Sequence, residues 1–535
     1  MVIKMRTEDL ISENFSDEQI PSFQNEDTII LVGEKKLDDY DTELGWENFF
    51  KIFDFNDNKS FHLTFANGET NTPDCIGGSY FGNRILSFSA PSLEYVGQNM
   101  FCECHNLEKI DLPSVKKIAE NAFRDCSNLI KISLPNAVFI ENSAFKNCIK
   151  LRKVVLKKAK LVKCSAFENC SALSQLCLQE AEIIEENAFS LNKSLRYIKL
   201  PKVKEIGFEA FANCIHLKRV QLPEVLNIET GAFANCLDLF EIKAPQLKKI
   251  GDHDMWNGAF SNCISLKEIK LEDLKFIGAY TFDNCFRLEK VDSGRLIEIG
   301  TCAFRRCLSL EHIIYHSLQK IGVEAFFECF NLKEIKSSNL EYIGEQAFYN
   351  CKNLAEVILP FVKTLPSNVF WGCENLTTLN LENVQYIEKN AFFGCEKIIY
   401  LDFPSLEIFE PHSLNSKDIP NLESIKMAVI KEIPESAFLW CKKLKEVDIP
   451  QAERIGSQAF KYCDFLESVN APLVQEIENE AFWDCHSLKT ANFPLAHKIG
   501  HLAFYRCLEL KSFFFAENAE IDDKAFEDSG VEQNN

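Results

Sequence analysis

Residues 118–135 read Ile118-Ala-Glu-Asn-Ala122-Phe123-Arg-Asp-Cys126-Ser-Asn-Leu129-Ile-Lys-Ile132-Ser-Leu134-Pro135, and this pattern returns through most of the chain. The phenylalanine of the Ala-Phe pair recurs every 22 residues, apart from one step of 27 residues and one of 24. The pattern occurs 20 times between residues 85 and 528, counting one coil in which Leu414 takes the phenylalanine position. A fixed period of this length indicates a solenoid, whose coils stack to bury a common core.

The apolar spacing within one repeat indicates its local structure. The first part has the spacing of one stripe of a short helical segment, at Ile118, Ala122, Phe123, Cys126 and Leu129. Ile132 and Leu134 then follow strand spacing, and Pro135 ends the strand because it has no amide hydrogen to donate. The sequence therefore predicts an α/β solenoid of about 20 coils, with a parallel β-sheet on one face and short helical turns on the other.

The repeat can be written Leu-x-x-Ile-x-Leu-Pro-x-x-Val-x-x-Ile-Gly-x-x-Ala-Phe-x-x-Cys-x-x, with the Ile-Gly pair present, for example, at Gly207, Gly300 and Gly322. This consensus resembles the BspA-type leucine-rich repeat, also called the Treponema pallidum type, over about four fifths of the chain. The resemblance implies a parallel-sheet leucine-rich-repeat array that is used for binding, and it implies no chemistry. Proteins similar to this include surface adhesins of host-associated bacteria and protists.

The chain divides into four predicted regions. Residues 1–25 are expected to be a mobile acidic segment, residues 26–84 an N-terminal cap, residues 85–528 the repeat array and residues 529–535 a polar tail. Within the cap, residues 28–32 and 60–65 have strand spacing and residues 46–53 have helix spacing. A separate small catalytic or recruiting domain in residues 1–84 is the alternative.

Charge and composition exclude several classes of function. The net charge is −21, of which −11 lies in residues 1–80, and phosphate binding needs a basic surface, so nucleic acid is not an expected partner. No apolar segment suits a signal peptide or a membrane anchor, so no membrane insertion is expected and the predicted location is cytoplasmic. The alternative location is the cell surface or the medium, reached by a non-classical route.

Cysteine usage is periodic. Seventeen of the 22 cysteines lie three residues after the repeat phenylalanine. A cysteine in the same place of every coil is expected to be a small buried group with a weak donor, which suits reduced thiols and a reducing cytosol. A stack of disulfides between neighbouring coils is the alternative, but the strand spacing is longer than a disulfide prefers.

Motifs for chemistry are weak in this sequence. Cys102-Glu-Cys104-His105, the pair His497 and His501, and Asp252-His253-Asp254 have residue types found in metal sites, but each lacks partner ligands nearby in sequence. No Gly-rich phosphate loop or nucleophile elbow is present. No catalytic, cofactor-binding or metal-binding residue is predicted, no cofactor is expected, and the chain is not predicted to be an enzyme.

The outward positions give the candidate binding residues. The position after the repeat phenylalanine is aromatic in four successive coils and in two later ones, at Phe327, Tyr349, Trp371, Phe393, Trp483 and Tyr505. Ile358 and Phe361 lie toward the sheet side of the same region. These residues are the predicted partner-binding site, because clustered aromatic rings often form interface hot spots. The alternative is that the rings simply cover the core and stack on one another.

The outward column of the strands begins basic, with Lys109, Lys131 and Lys153, and turns acidic at Glu241. Cross-strand charge pairs are expected to neutralise much of its middle part. The predicted function is a non-enzymatic scaffold that binds a protein ligand over the solenoid surface. The alternative is a cell-surface adhesin that binds host proteins and is exported without a classical signal peptide. No pattern in the sequence identifies the partner or the oligomeric state.

Overall fold

A computed structural model describes residues 2–6, 10, 27–32, 46, 49, 60–66, 69, 71–73, 82–252, 257–411 and 413–531. The chain divides into two compact units, Met1–Leu271 and Glu272–Asn535. Both units consist of short strands that pair in parallel with strands of neighbouring coils. The parallel-strand solenoid predicted from the repeat is confirmed.

Unit 1 contains twenty strands: β1 (Val2–Arg6), β2 (Asp27–Val32), β3 (Phe61–Phe65), β4 (Ile85–Ser89), β5 (Tyr95–Val96), β6 (Lys109–Asp111), β7 (Lys117–Ile118), β8 (Lys131–Ser133), β9 (Phe139–Ile140), β10 (Lys153–Leu156), β11 (Leu161–Val162), β12 (Gln175–Leu178), β13 (Ile183–Ile184), β14 (Tyr197–Lys199), β15 (Glu205–Ile206), β16 (Arg219–Gln221), β17 (Asn227–Ile228), β18 (Glu241–Lys243), β19 (Lys249–Ile250) and β20 (Glu268–Lys270).

Unit 2 continues the numbering with β21 (Phe276–Ile277), β22 (Lys290–Asp292), β23 (Glu298–Ile299), β24 (His312–Ile314), β25 (Lys320–Ile321), β26 (Glu334–Lys336), β27 (Tyr342–Ile343), β28 (Glu356–Ile358), β29 (Thr364–Leu365), β30 (Thr378–Asn380), β31 (Tyr386–Ile387), β32 (Tyr400–Phe403), β33 (Ile408–Phe409), β34 (Ser424–Met427), β35 (Glu432–Ile433), β36 (Glu446–Asp448), β37 (Arg454–Ile455), β38 (Ser468–Asn470), β39 (Glu476–Ile477), β40 (Thr490–Asn492), β41 (Lys498–Ile499), β42 (Ser512–Phe514) and β43 (Glu520–Ile521).

Each coil carries one longer and one two-residue strand, which lie on two different sides. In unit 1 the longer strands form one sheet in the order β1-β2-β3-β4-β6-β8-β10-β12 and another in the order β14-β16-β18. The two-residue strands form a further sheet that runs from β5 to β19. Neighbouring strands are in register, so that Lys153 pairs with Lys131 on one side and with Gln175 on the other. Successive coils therefore place equivalent residues side by side in columns.

The third side of each coil is a chain of turns. No residue between 82 and 531 that the structure describes is in an α-helix, so the predicted short helical turns are wrong. Asn121 and Asp125 adopt left-handed backbone conformations, with φ of 54° and 61°, which a right-handed helix excludes. The N–H groups of Asn121, Phe123 and Asp125 donate to carbonyls of the next coil, and those between them donate three residues back.

The core contains a ladder of phenylalanine rings. Phe123 stacks on Phe101 and on Phe145, with ring centroids 5.0 and 5.1 Å apart and the planes within 5° of parallel. These rings are fully buried. Removal of one such ring, by substitution with alanine, typically costs about 3–5 kcal/mol of stability.

The cysteines form a second ladder beside the rings. The Cys148 thiol donates to the carbonyl of Phe123 at 3.2 Å, and the Cys351 thiol donates to the carbonyl of Phe326 at 3.1 Å. Burial raises the pKa of these thiols well above its ordinary value. The expected role of the periodic cysteine as a buried weak donor is confirmed, because each such thiol satisfies a core carbonyl that no water reaches.

Strands β2 and β3 confirm the strands predicted at residues 28–32 and 60–65, and they continue the parallel sheet of the first coil. Strand β1 pairs with β2 and lies in the segment of residues 1–25, most of which is outside the described residues. Of the helix predicted at residues 46–53, the structure describes Trp46 and Phe49, whose rings pack on Phe65.

The irregular coil keeps the core continuous in unit 2. Leu414 is fully buried in the place of the repeat phenylalanine. The thiol of Cys441 donates to its carbonyl at 3.4 Å, as other cysteines do to phenylalanine carbonyls. The carboxylate of Asp418 is buried and accepts a hydrogen bond from the N–H of Asn415. This burial raises the pKa of Asp418 to about 7. This coil thus has a hydrogen-bonded local turn where the other coils have the ladder cysteine.

Candidate functional site

Four aromatic side chains of unit 2 form a continuous stack, here called the aromatic column: Phe327, Tyr349, Trp371 and Phe393. Ring centroids are 4.7, 5.7 and 3.8 Å apart along the column, and successive planes lie within 13° of parallel. All four rings are half-buried. The predicted residues are therefore brought together, and each ring has one part available to a partner.

The repeat itself explains why these rings align. Each ring follows a core phenylalanine directly, and the backbone around it pairs with the equivalent backbone of the next coil, as when the N–H of Phe326 donates to Ala347. In-register coils separated by about 4.8 Å suit stacked rings. A stack of this kind offers a rigid apolar surface that loses little side-chain entropy on binding.

A second aromatic cluster of unit 2 combines two pairs of rings. Trp440 stacks on Tyr462 with centroids 3.9 Å apart, and Trp483 packs against Tyr505 at 4.3 Å. The Nζ of Lys461 lies 4.1 Å from the Trp483 ring centroid and 5.3 Å from that of Tyr462, so it joins the two pairs by cation–π contacts. The sequence predicted Trp483 and Tyr505 as binding residues, but it did not predict that Lys461 would link them to Trp440 and Tyr462.

The backbone of the second cluster is strained. Trp440 and Tyr462 adopt left-handed backbone conformations, with φ of 65° and 63°. Some coils place Asn350 or Gly372 in this column, which are residue types that tolerate this conformation, while another places Leu191 there with φ of 64°. A bulky residue held there costs stability, and such strain clusters at functional sites. Trp440 and Tyr462 were not among the predicted binding residues, and their sequence signal is an aromatic residue in a column where asparagine or glycine occupies nine of the twenty positions.

Phe361 belongs to a different surface. It is 54% exposed and lines a groove of about 870 Å³ together with Tyr342, which is 51% exposed, and Val323. Charged Lys363 and Glu388 also line the groove. Ile358 is the last residue of β28, whereas the residues of the aromatic column lie in the turns. Among the described residues, no ring contact joins Phe361 to the aromatic column. The structure thus separates these two predicted residues from the stack.

The polar motifs have structural partners. The Nδ1 atom of His105 lies 2.8 Å from the carbonyl oxygen of Asp125, and that of His501 lies 3.0 Å from a carboxylate oxygen of Asp522. The motif at residues 252–254 lies outside the described residues except for Asp252. Across the described part of the chain, no three His, Cys, Asp or Glu side chains are grouped to hold a metal ion. No described helix is long and apolar enough to cross a membrane.

Cross-strand charge pairs cover part of the sheet face in unit 2, as the sequence predicted. The Nζ of Lys336 lies 2.7 Å from a carboxylate oxygen of Glu334 on its own strand and 2.7 Å from one of Glu356 on the next. These two hydrogen bonds raise the pKa of Lys336. Both carboxylates are half-exposed, so the pairs contribute little stability and mainly cancel charge.

Three solved structures illustrate what the chain is similar to. A leucine-rich repeat protein from Bacteroides ovatus is 28% identical, and the match covers 65% of this chain and 82% of that one with a TM-score of 0.48. The T. pallidum leucine-rich repeat protein is 30% identical over 34% of this chain and 77% of that one, with a TM-score of 0.27. A leucine-rich cell surface protein from Faecalibacterium prausnitzii is 17% identical over 82% and 89%, with a TM-score of 0.21.

No curated protein matches the sequence. The family model described as the BspA type leucine-rich repeat region matches residues 64–174, 182–311, 228–353, 297–419 and 416–532. These matches cover most of the chain and include both aromatic clusters. Together with the parallel, in-register coils, they show that the chain belongs to the BspA-type leucine-rich repeat family.

Proposed function

We propose that the chain is a non-enzymatic scaffold that binds a protein ligand through the aromatic column of unit 2. Leucine-rich-repeat proteins generally serve as scaffolds for protein interactions, and solenoids provide extended binding surfaces. The observation that supports this site is the continuous stack of four half-exposed rings. Trp and Tyr in such a setting supply large contact area at a small cost in side-chain entropy.

The second cluster extends the proposed surface. Trp483 and Tyr505 lie in the same position of their coils as the rings of the aromatic column. Trp440 and Tyr462 have a left-handed backbone that asparagine or glycine would adopt with less strain. We include this cluster as a second contact region for the same class of ligand. Ile358 and Phe361 stay as weaker proposals, since the groove at Phe361 is a separate feature.

The test is a pull-down from the native cell's lysate, with the full-length protein and the Tyr349→Ala, Trp371→Ala double variant as baits. A protein recovered with the wild type and lost with the variant would support the site. The matched control is Phe286→Ala, Phe465→Ala, which also removes two exposed aromatic rings of unit 2 but none from either cluster. Circular dichroism on all three baits checks that the fold is kept.

Equal recovery with all three baits would mean that the column is packing and that the ligand binds elsewhere. Loss with both double variants would mean that general exposed apolar surface is responsible. Truncation of a hot-spot ring commonly costs about 2 kcal/mol or more of binding free energy. The loss of two such rings would therefore weaken a partner of micromolar Kd so much that washing removes it from the bait.

The location of this activity is a second proposal. We propose the cytoplasm as the location, because cysteines that stay reduced suit a reducing compartment. The alternative is the cell surface, where the chain would act as an adhesin. Protease treatment of intact cells separates the two proposals. Protection of the full-length chain supports the cytoplasm, while loss of the chain with cytosolic markers intact supports the surface.

A further inference from the structure

We propose that one sheet face of unit 1, here called the basic face, binds a short acidic segment of a partner protein. The basic face comprises the outward side chains of five successive coils, in residues 127–135, 149–157, 171–179, 193–201 and 215–223. These five segments of nine residues hold ten Lys or Arg and no Asp or Glu, in a chain with a net charge of −21. The aromatic column belongs to unit 2, so this proposal does not depend on it.

The cations of the basic face are exposed and few of them form ion pairs. All ten side chains are exposed. Among the described residues an ion pair reaches one of them, Arg219, whose Nε lies 3.3 Å from Glu241. Lys131 and Lys153 stand in register on β8 and β10. Like charges at a strand spacing of about 4.8 Å repel each other, so this arrangement costs stability that the fold itself does not recover.

The same strand series in unit 2 shows that the repeat can neutralise such charges. There Lys336 contacts both Glu334 and Glu356, and Lys333 lies 2.5 Å from Glu311. The basic face lacks equivalent carboxylates at every outward position of its five coils. A one-sign surface of this kind creates a positive potential that attracts and orients an anionic ligand.

The size of the basic face limits the ligand. Acidic residues flank it, with Glu108 and Asp111 before it and Asp238 and Glu241 after it. Five coils span four strand spacings, or roughly 19 Å, which about six extended residues would cover. A long polyanion would reach the flanking carboxylates, and the chain's net negative charge would repel the remainder. A short acidic segment interacts only with charges within a Debye length of about 8 Å.

Exposed apolar side chains favour a protein ligand. Ile130 is 43% exposed and Tyr197 is 45% exposed, and both lie among the cations. A peptide can place carboxylates against Lys131, Lys153 and Arg196 while its own apolar residue covers one of these two side chains. We therefore infer an acidic segment that also carries an aliphatic or aromatic residue.

The test uses a fluorescein-labelled peptide of sequence Glu-Asp-Leu-Glu-Tyr-Glu-Asp and fluorescence anisotropy with the full-length protein. The Lys153→Glu, Arg196→Glu variant should weaken binding at least about tenfold, because two attractive charges become repulsive within a Debye length. The matched control is Lys426→Glu, Lys511→Glu, which makes the same change in net charge on exposed lysines of unit 2 and should change the Kd less than about twofold. A peptide with Gln and Asn in place of its acids should not bind.

Several results would overturn the proposal. They are absence of peptide binding, equal weakening by both charge-reversal variants, or loss of binding in the Tyr349→Ala, Trp371→Ala variant. Phosphatidylserine vesicles and a single-stranded oligonucleotide are run beside the peptide. If either one binds and is released by Lys153→Glu, Arg196→Glu while the peptide does not bind, the partner class is wrong. Thermal unfolding followed by circular dichroism should show no loss of stability in the basic-face variant, since the substitutions relieve repulsion.

Discussion

The residue three positions after each core phenylalanine has one physical task, which is to satisfy a buried carbonyl. Cys170 and Cys214 do this with a thiol, at 3.2 and 3.3 Å from the carbonyl oxygens of Phe145 and Phe189. Asn192 takes the place of cysteine in the coil between them, and its Nδ2 donates to Phe167 at 2.9 Å and to Phe189 at 2.8 Å. The task thus explains both the cysteine ladder and its replacement.

Asparagine performs this task at a cost, which gives a residue-scale prediction. The Oδ1 atom of Asn192 is buried and has no hydrogen-bond partner, and such an atom costs about 1–3 kcal/mol. We expect Asn192→Cys to raise the free energy of unfolding by about 1 kcal/mol, since one of two donated bonds is also lost. Urea denaturation measures this change. The control Cys170→Asn should be destabilising, and a stabilising Cys170→Asn would contradict the explanation.

At the scale of the coil, close approach of neighbouring backbones explains the Ile-Gly pair. A Cβ atom on Gly322 would lie 2.6 Å from the carbonyl carbon of Gly300 in the preceding coil, closer than real contacts allow. Gly294, outside this column, has room for a Cβ, whose nearest neighbour would be a His316 ring carbon at 3.5 Å. Gly322 therefore permits a close contact between its own coil and the preceding one, while other coils carry larger residues such as Glu141 and Lys163 in this column.

This close approach leads to a prediction for two matched substitutions. Gly322→Ala should lower the free energy of unfolding by about 1–3 kcal/mol or more, because the clashing atoms belong to backbone and cannot rotate away. Gly294→Ala should change it by less than about 1 kcal/mol, because the site is open. Denaturant midpoints of the two variants and the wild type provide the comparison. Equal midpoints for the two variants would show that the coils can move apart to admit a methyl group.

The coil is also where prediction from sequence succeeded and failed. The strands were predictable because Ile132 and Leu134 alternate, and the stacked columns followed from the constant period. The helical turns were wrong because apolar spacing does not report the sign of φ. The informative residues were Asn121 and Asp125, whose types favour the left-handed conformation at two places per coil. The groove at Tyr342 and Phe361 was not predictable, since it joins positions from different columns of neighbouring coils.

At the scale of the whole molecule, burial keeps nearly all thiols from solvent. All 21 cysteines in the described part of the chain are free thiols. Among them, only Cys164 and Cys177 are partly exposed. Burial raises the pKa of the ladder thiols, and the pKa of Cys214 rises to about 12. Folded ladder thiols are thus protected in any compartment. The cysteine pattern favours folding in a reducing environment but does not by itself fix the final location.

A thiol-reactivity experiment follows from this distribution. Among the described cysteines of the native protein at pH 7.5, DTNB should label Cys177 first and Cys164 more slowly, because burial and the nearby Glu185 carboxylate raise the pKa of Cys164. The buried ladder thiols should react only after urea unfolds the chain. Peptide mapping by mass spectrometry identifies the labelled residues, with Cys177→Ser as the control. Rapid native labelling of Cys351 or Cys373 would show that the ladder opens without global unfolding.

The in-register pairing of coils also bears on how the length of such a chain can change. In the regular coils each strand residue pairs with its equivalent one repeat later, as Lys131 does with Lys153. A deletion of one whole repeat between equivalent points of two regular coils leaves each remaining side chain beside the same kind of neighbour. A deletion slightly shorter or longer than the repeat would turn core side chains outward, because successive strand residues face opposite sides. The gene for such a protein can therefore gain or lose segments that encode whole repeats without disturbing the remaining coils. The exposed surface of the protein then changes by one whole coil at a time.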